Sequence, residues 1–186
     1  ENGKTIVLIN ACWDFLLYSQ SNPSHGVFVA EIDEIGLLND VIRLKILNKD
    51  ISIIIFLHWG FDLEVLPFPM YRKFSHALID AGANLIIGSH SHCVQGGEKY
   101  KGRYIIYGLG NFYMPHNIFA EGKIKYPDFT RTELVFEWDP YYNKAVCHWF
   151  EYRNAGSKHN LLHITSEEFE VSVLLKQYSP FQGMME

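Results

Sequence analysis

Apolar residues come in short unbroken runs separated by longer stretches where they recur every three or four positions, and this alternation predicts an α/β fold. Thr5 to Asn10 reads as a first strand. Ile51 to Leu57, wholly apolar and mostly β-branched, reads as a central strand covered on both faces. Between them, residues 15 to 28 carry Asn22, Pro23 and Gly26 without any period and read as a loop. Residues 31 to 49 predict a helix whose buried stripe holds Ile35, Leu38, Ile42 and Ile46, with Asp40 and Lys49 toward water. A second helix is predicted from Pro67 to Ala81. Met70, Phe74, Ala77, Leu78 and Ala81 form its inner stripe, Arg72, Lys73, His76 and Asp80 its solvated side, and Gly82 its stop.

Another apolar run, Asn84 to Gly88, ends in Ser89-His90-Ser91-His92. Lys101 and Gly102 then turn the chain between two extended pieces, and the strand Arg103 to Tyr107 empties into LGNF, where Gly108 and Gly110 permit close backbone approach. Residues 114 to 131, with Pro115, Gly122 and Pro127, predict a surface loop bordering a pocket. Thr132 to Trp138 and Ala145 to Tyr152 alternate and predict an antiparallel hairpin, with His148 on its surface. Thr165 with Glu168 has the form of a capping box opening a short helix to about Gln177, although the alternation in EFEVSV also permits a strand. Residues 1–155 are expected to form the domain and 156–186 a carboxyl-terminal extension with a short helix packed on it.

Candidate chemistry lies where strands end. His58 closes the central run, and His90 and His92 follow the next one. In an extended chain, residues two apart project from one face roughly 6.6 to 7 Å apart, so each imidazole of the pair can address one of two ions. Two-metal sites hold their ions about 3.5 to 4 Å apart, and ligands at the carboxyl ends of parallel strands share one crevice. Imidazole suits zinc, iron, nickel and copper, added carboxylates admit manganese, and the spacing does not choose among them. A solitary histidine at a strand end is more often a core or rim residue, so the pair is the stronger signal. Trp59 is expected to fill the core or a pocket wall, His76 to be solvated and Cys93 to be a small buried residue.

Composition narrows the classes. The chain has 186 residues, 48% of them hydrophobic and 15% aromatic, enough for one packed domain and too apolar for disorder. A formal net charge of -5, with Lys and Arg scattered, argues against nucleic acid as a partner. No apolar run approaches the roughly 20 residues of a transmembrane helix. Cys12, Cys93 and Cys147 are too few and too far apart for a disulfide framework or a cysteine zinc site. The amino-terminal ENGKTIVLINA lacks a basic start and a long apolar core, while a cleaved signal would leave no trace, so a cytoplasmic and a cell-envelope location both stay open.

Four strings occur in order: HWG at 58 to 60, AGANLIIGSHSH at 81 to 92, QGGEKYKG at 95 to 102 and YGLGNF at 107 to 112. Together they resemble the CapA family of poly-gamma-glutamate capsule biosynthesis proteins, within the calcineurin-like metallophosphoesterase superfamily, over about residues 55 to 150. The resemblance implies the carboxyl-terminal half of an α/β/β/α sandwich, with a mixed sheet and a terminal antiparallel hairpin. It further implies two divalent ions (Mn, Fe or Zn), with His58 and His90 sharing one and His92 serving the other. Glu64, in HWGFDLE, takes the place of the family's acidic residue in competition with Asp62. Asn111, in LGNF, would contact substrate or hold a turn. The superfamily's Gly-Asp and Asn-His strings do not precede His58, and Asp14 is an early acid without the glycine. Either an amino-terminal segment or a partner chain would therefore complete the site, or the domain is an inactive fragment that has lost its chemistry and holds no metal alone. The implied functions are metal-dependent hydrolysis of a phosphoester substrate, or a non-catalytic role binding an anionic polymer or its synthetic machinery.

Overall fold

The computed structural model describes residues 3–13, 30–114, 126–155 and 158–181; Asp14, His25 and His116 lie outside them. Strands β1 (Ile6–Cys12), β2 (Ser52–His58), β3 (Leu85–Ser89), β4 (Val94–Tyr100) and β5 (Arg103–Leu109) form one mixed sheet in the order β1-β2-β3-β5-β4. The first four neighbours in that order run parallel, and β4 is the antiparallel edge. Helices α1 (Glu34–Leu47) and α2 (Pro69–Ala81) make the crossovers β1-α1-β2 and β2-α2-β3. The chain then builds a second, antiparallel sheet from β6 (Thr132–Asp139), β7 (Lys144–Ala155) and β8 (Lys158–Glu168), followed by the short helix α3 (Val173–Tyr178). None of the described helices is long and apolar enough to cross a membrane.

The apolar runs lack strict alternation because the mixed sheet is covered on both faces. Ile53, Ile55, Leu57, Ile105 and Tyr107 join the helices in one core. Their strand neighbours Ile54, Tyr104 and Ile106 point the other way, into a second core with Leu134, Cys147 and Trp149 of the antiparallel sheet. The mixed α/β architecture is therefore as the pattern predicts.

Several elements differ from that pattern. Helix α1 buries Leu37 and Val41, whereas Ile35 and Ile46 are each 74% exposed. Eight of its fourteen residues are Ile, Leu or Val, so two apolar stripes compete, and packing beside α2 selects 37/41. In α2, Met70 is exposed, and Arg72 and His76 do not face water. Both reach the buried Glu98 of β4: Arg72 Nε and a terminal nitrogen donate at 3.3 and 3.1 Å, and His76 Nε2 lies at 2.9 Å. The Tyr107 hydroxyl donates to the same carboxylate at 2.5 Å. Burial alone would push the Glu98 carboxyl up, but the bonds from Arg72, Tyr107 and His76 hold it below its ordinary value.

The expected capping box at Thr165 is instead part of β8, where Thr165 pairs with Trp149. The hairpin thus gains a third strand, and EFEVSV forms the turn into α3. The cap lies at Ser172, whose Oγ accepts the Leu175 N–H at 3.2 Å.

Candidate metal centre

Parallel pairing of β2, β3 and β5 brings their carboxyl ends to one edge, and each delivers a polar residue there. His58 is the last residue of β2 and lies opposite Ser89 in the ladder. β3 stops at Ser89, so His90 and His92 are not in extended chain. Their φ angles of 99° and 57° lie in the left-handed region, sparsely populated by non-glycine residues. Strand alternation therefore does not set the spacing of this pair. A strained turn, with Ser91 buried and its Oγ donating to the Cys93 carbonyl at 2.8 Å, brings the two rings together instead.

The centroids of His58 and His90 are 4.6 Å apart, and those of His90 and His92 6.0 Å. Asp62, in the loop after β2, sets Oδ1 3.5 Å from His90 Nε2 and 3.7 Å from His92 Nε2. Asp62, His90 and His92 each offer a ligand atom within 4.8 Å of the others; His58 stands beside His90, outside this three-donor group. Glu64 does not share the position of Asp62. It is exposed, and its backbone carbonyl accepts from Cys93 Sγ at 3.1 Å and Gln95 Nε2 at 2.9 Å.

The hydrogen bonds around the rings select their tautomers. Asn111 Nδ2 donates to the His92 carbonyl at 3.1 Å, so Asn111 Oδ1 is the atom facing His92 Nδ1 at 2.6 Å. Oδ1 only accepts, which places a proton on Nδ1 and a lone pair on Nε2 of neutral His92. Ser89 acts similarly on His58: its hydroxyl donates to the Leu57 carbonyl at 3.4 Å and so accepts from His58 Nδ1 at 3.2 Å. Burial, reinforced by His90 and His92, lowers the His58 pKa. Burial also lowers that of His90, with His92 adding to it and Asp62 opposing. With Nδ1 anchored in His58 and His92, and Nε2 of His90 and His92 turned toward the Asp62 carboxylate, the cluster forms a donor set that suits a divalent ion of the zinc, iron or manganese type.

Two neighbours carried no signal in the sequence. Tyr126 places its ring 5.0 Å from that of His92. Glu133, the second residue of β6, is 1% exposed beneath the LGNF turn. On the helix side of the sheet, a cavity of about 620 Å³ is lined by Trp13, Phe61, Phe68, Tyr71 and others, with Trp59 as part of its wall.

Fold and site together define an α/β protein with a histidine-carboxylate cluster at the carboxyl edge of a mixed sheet. The family model for the bacterial capsule synthesis protein PGA_cap matches residues 8–116, more than half of the chain, and the chain belongs to that family. It is similar to the capsule biosynthesis protein CapA of Bacillus anthracis, 38% identical over 65 residues, covering 35% of this chain and 16% of that protein. It is also similar to the PGA biosynthesis protein CapA of Bacillus subtilis (strain 168), 42% identical over 55 residues, or 30% of this chain and 14% of the relative. A probable polyglutamine synthesis accessory protein of Mycobacterium tuberculosis (strain CDC 1551 / Oshkosh) is 38% identical over 58 residues, 31% of this chain and 15% of its own. The matched stretches thus span about a sixth of these relatives' length or less.

Proposed function

We propose that this chain supplies the histidine-rich part of a divalent-metal site in a capsule-synthesis protein, with Asp62, His90 and His92 as ligands and His58 as an adjoining one. One observation carries the reading: His92 Nε2 and His90 Nε2 lie 3.7 and 3.5 Å from the same oxygen of Asp62. Neither distance is a good hydrogen bond, and a cation between these atoms would satisfy all three. A divalent ion bound there would lower the pKa of a coordinated water and draw charge from a phosphoryl oxygen. The residues of this chain hold and orient: Asn111 fixes His92, Ser89 fixes His58, and the left-handed turn at 90 to 92 aims the pair. Three imidazoles and one carboxylate leave two cations incompletely neutralised. A second ion would therefore draw on an anionic ligand from a preceding segment or a partner chain, which also fits the short span of the relatives that this chain matches.

A second reading is a non-catalytic role, contacting an anionic polymer or its synthetic machinery. The Mycobacterium tuberculosis relative, a probable polyglutamine synthesis accessory protein, favours it. Elemental analysis of the purified chain, with and without added Zn²⁺ or Mn²⁺, tests the site. About one bound ion per chain, lost in His92→Ala and in Asp62→Asn, is the expected result, and no bound ion at any concentration overturns it. Metal-dependent hydrolysis of p-nitrophenyl phosphate by the loaded protein separates the readings: turnover supports the phosphoesterase, and a loaded but inert site supports the accessory role.

A further inference from the structure

Beneath the histidine-carboxylate cluster lies a buried acid, Glu133. Glu133 has no salt-bridge partner among the described residues. Instead its Oε2 accepts the Phe112 backbone N–H at 2.7 Å, and the Asn111 backbone N–H bonds the same carboxylate. Phe112 has φ +57° and Gly110 φ +88°, so this turn presents successive N–H groups to one side, the form of a small anion cradle. A Cβ on Gly110 would fall 2.3 Å from Glu133 Oε2, which shows how tightly the turn is drawn onto the acid. Asn111, at the centre of this turn, clasps His92 through both ends of its amide.

We propose that Glu133 is a positioning residue for His92: its carboxylate holds the 110–112 turn so that the Asn111 amide keeps the proton on His92 Nδ1 and turns Nε2 toward Asp62. The inference deepens the metal-site reading and rests on it for its purpose. The chain of contacts from Glu133 to the imidazole stands on the hydrogen bonds alone.

The requirement is for acceptors rather than bulk. Glu133→Met keeps the volume and removes both acceptors, while Glu133→Gln keeps one oxygen for the Phe112 N–H. Histidine ¹⁵N NMR on the metal-free chain reads the His92 tautomer, and calorimetric titration with Zn²⁺ reads affinity. In the unsubstituted chain, His92 is expected as the Nδ1–H tautomer. Glu133→Met should mix the tautomers and weaken Zn²⁺ roughly ten- to a hundredfold, as loss of an outer-shell partner does. Glu133→Gln should lie between. Identical tautomer and affinity in all three proteins overturn the inference, as does an Nε2-protonated His92 in the unsubstituted chain. Should Glu133→Met fail to fold, Glu133→Gln decides by the same two readouts. Absence of Zn²⁺ binding in the unsubstituted chain sinks the metal reading alone, because the tautomer is measured without metal.

Discussion

At the scale of single residues, Glu133 carries the clearest physical signature. Burial pushes its carboxyl up to about 7, and the N–H groups of Phe112 and Asn111 offset only part of that. A folded-state pKa raised above the unfolded one means that stability is fully present below the unfolded value of about 4.5 and declines as pH rises through about 7. Urea unfolding between pH 4.5 and 7.5 should therefore show the unsubstituted chain losing about 3 kcal/mol relative to Glu133→Gln, which carries no titrating carboxyl at this position. Parallel curves would count against a buried, protonatable acid. Nothing in the local sequence distinguished Glu133 from the exposed Glu137 on the same strand; only the fold of the LGNF turn over β6 tells them apart. Asp62 and Glu64 posed a similar ambiguity, legible as a pair of acids after HWG but not as a choice. The loop directs Asp62 to the imidazoles and turns the Glu64 backbone to Cys93 and Gln95.

At the scale of elements, strands were the most legible because a sheet covered on both faces demands unbroken apolar runs, and few other arrangements tolerate them. Helix α1 was legible in existence but not in orientation. Leu37→Ala should destabilise by roughly 2 to 5 kcal/mol, whereas Ile46→Glu should change stability by less than about 0.5 kcal/mol. Denaturant midpoints of the two variants check the orientation directly, and equal effects would mean that the helix is rotated. In α2 the polar stripe was correctly located and misassigned. A buried Glu98 four strands along the sheet order from β1 converts Arg72 and His76 from solvated residues into its partners, a pairing 26 and 22 residues distant that no local pattern contains. β8 was missed because its half-exposed residues compete with a plausible cap, and cross-strand pairing with β7 overrides that local preference.

For the molecule as a whole, two cores on opposite faces of one sheet hold the β2, β3 and β5 ends in fixed relation. A ligand that binds only the folded state stabilises it by about 2.7 kcal/mol at a hundred times its dissociation constant. Zn²⁺ at that level should raise the unfolding free energy by that amount in the unsubstituted chain and by much less in His90→Ala/His92→Ala. An equal gain in both proteins would place the ion elsewhere. By itself, the order of apolar runs and periodic stretches determined the α/β class, the parallel strands, the strand end that carries His58 and the strand after which His90 and His92 follow, because burial on both sheet faces and helical periodicity are local demands on composition. Tertiary structure alone decided which carboxylate meets the imidazoles, which tautomers they hold and which acid lies beneath them. Those outcomes depend on left-handed turns and on contacts between segments far apart in the chain, where single side-chain atoms must meet within hydrogen-bond distance.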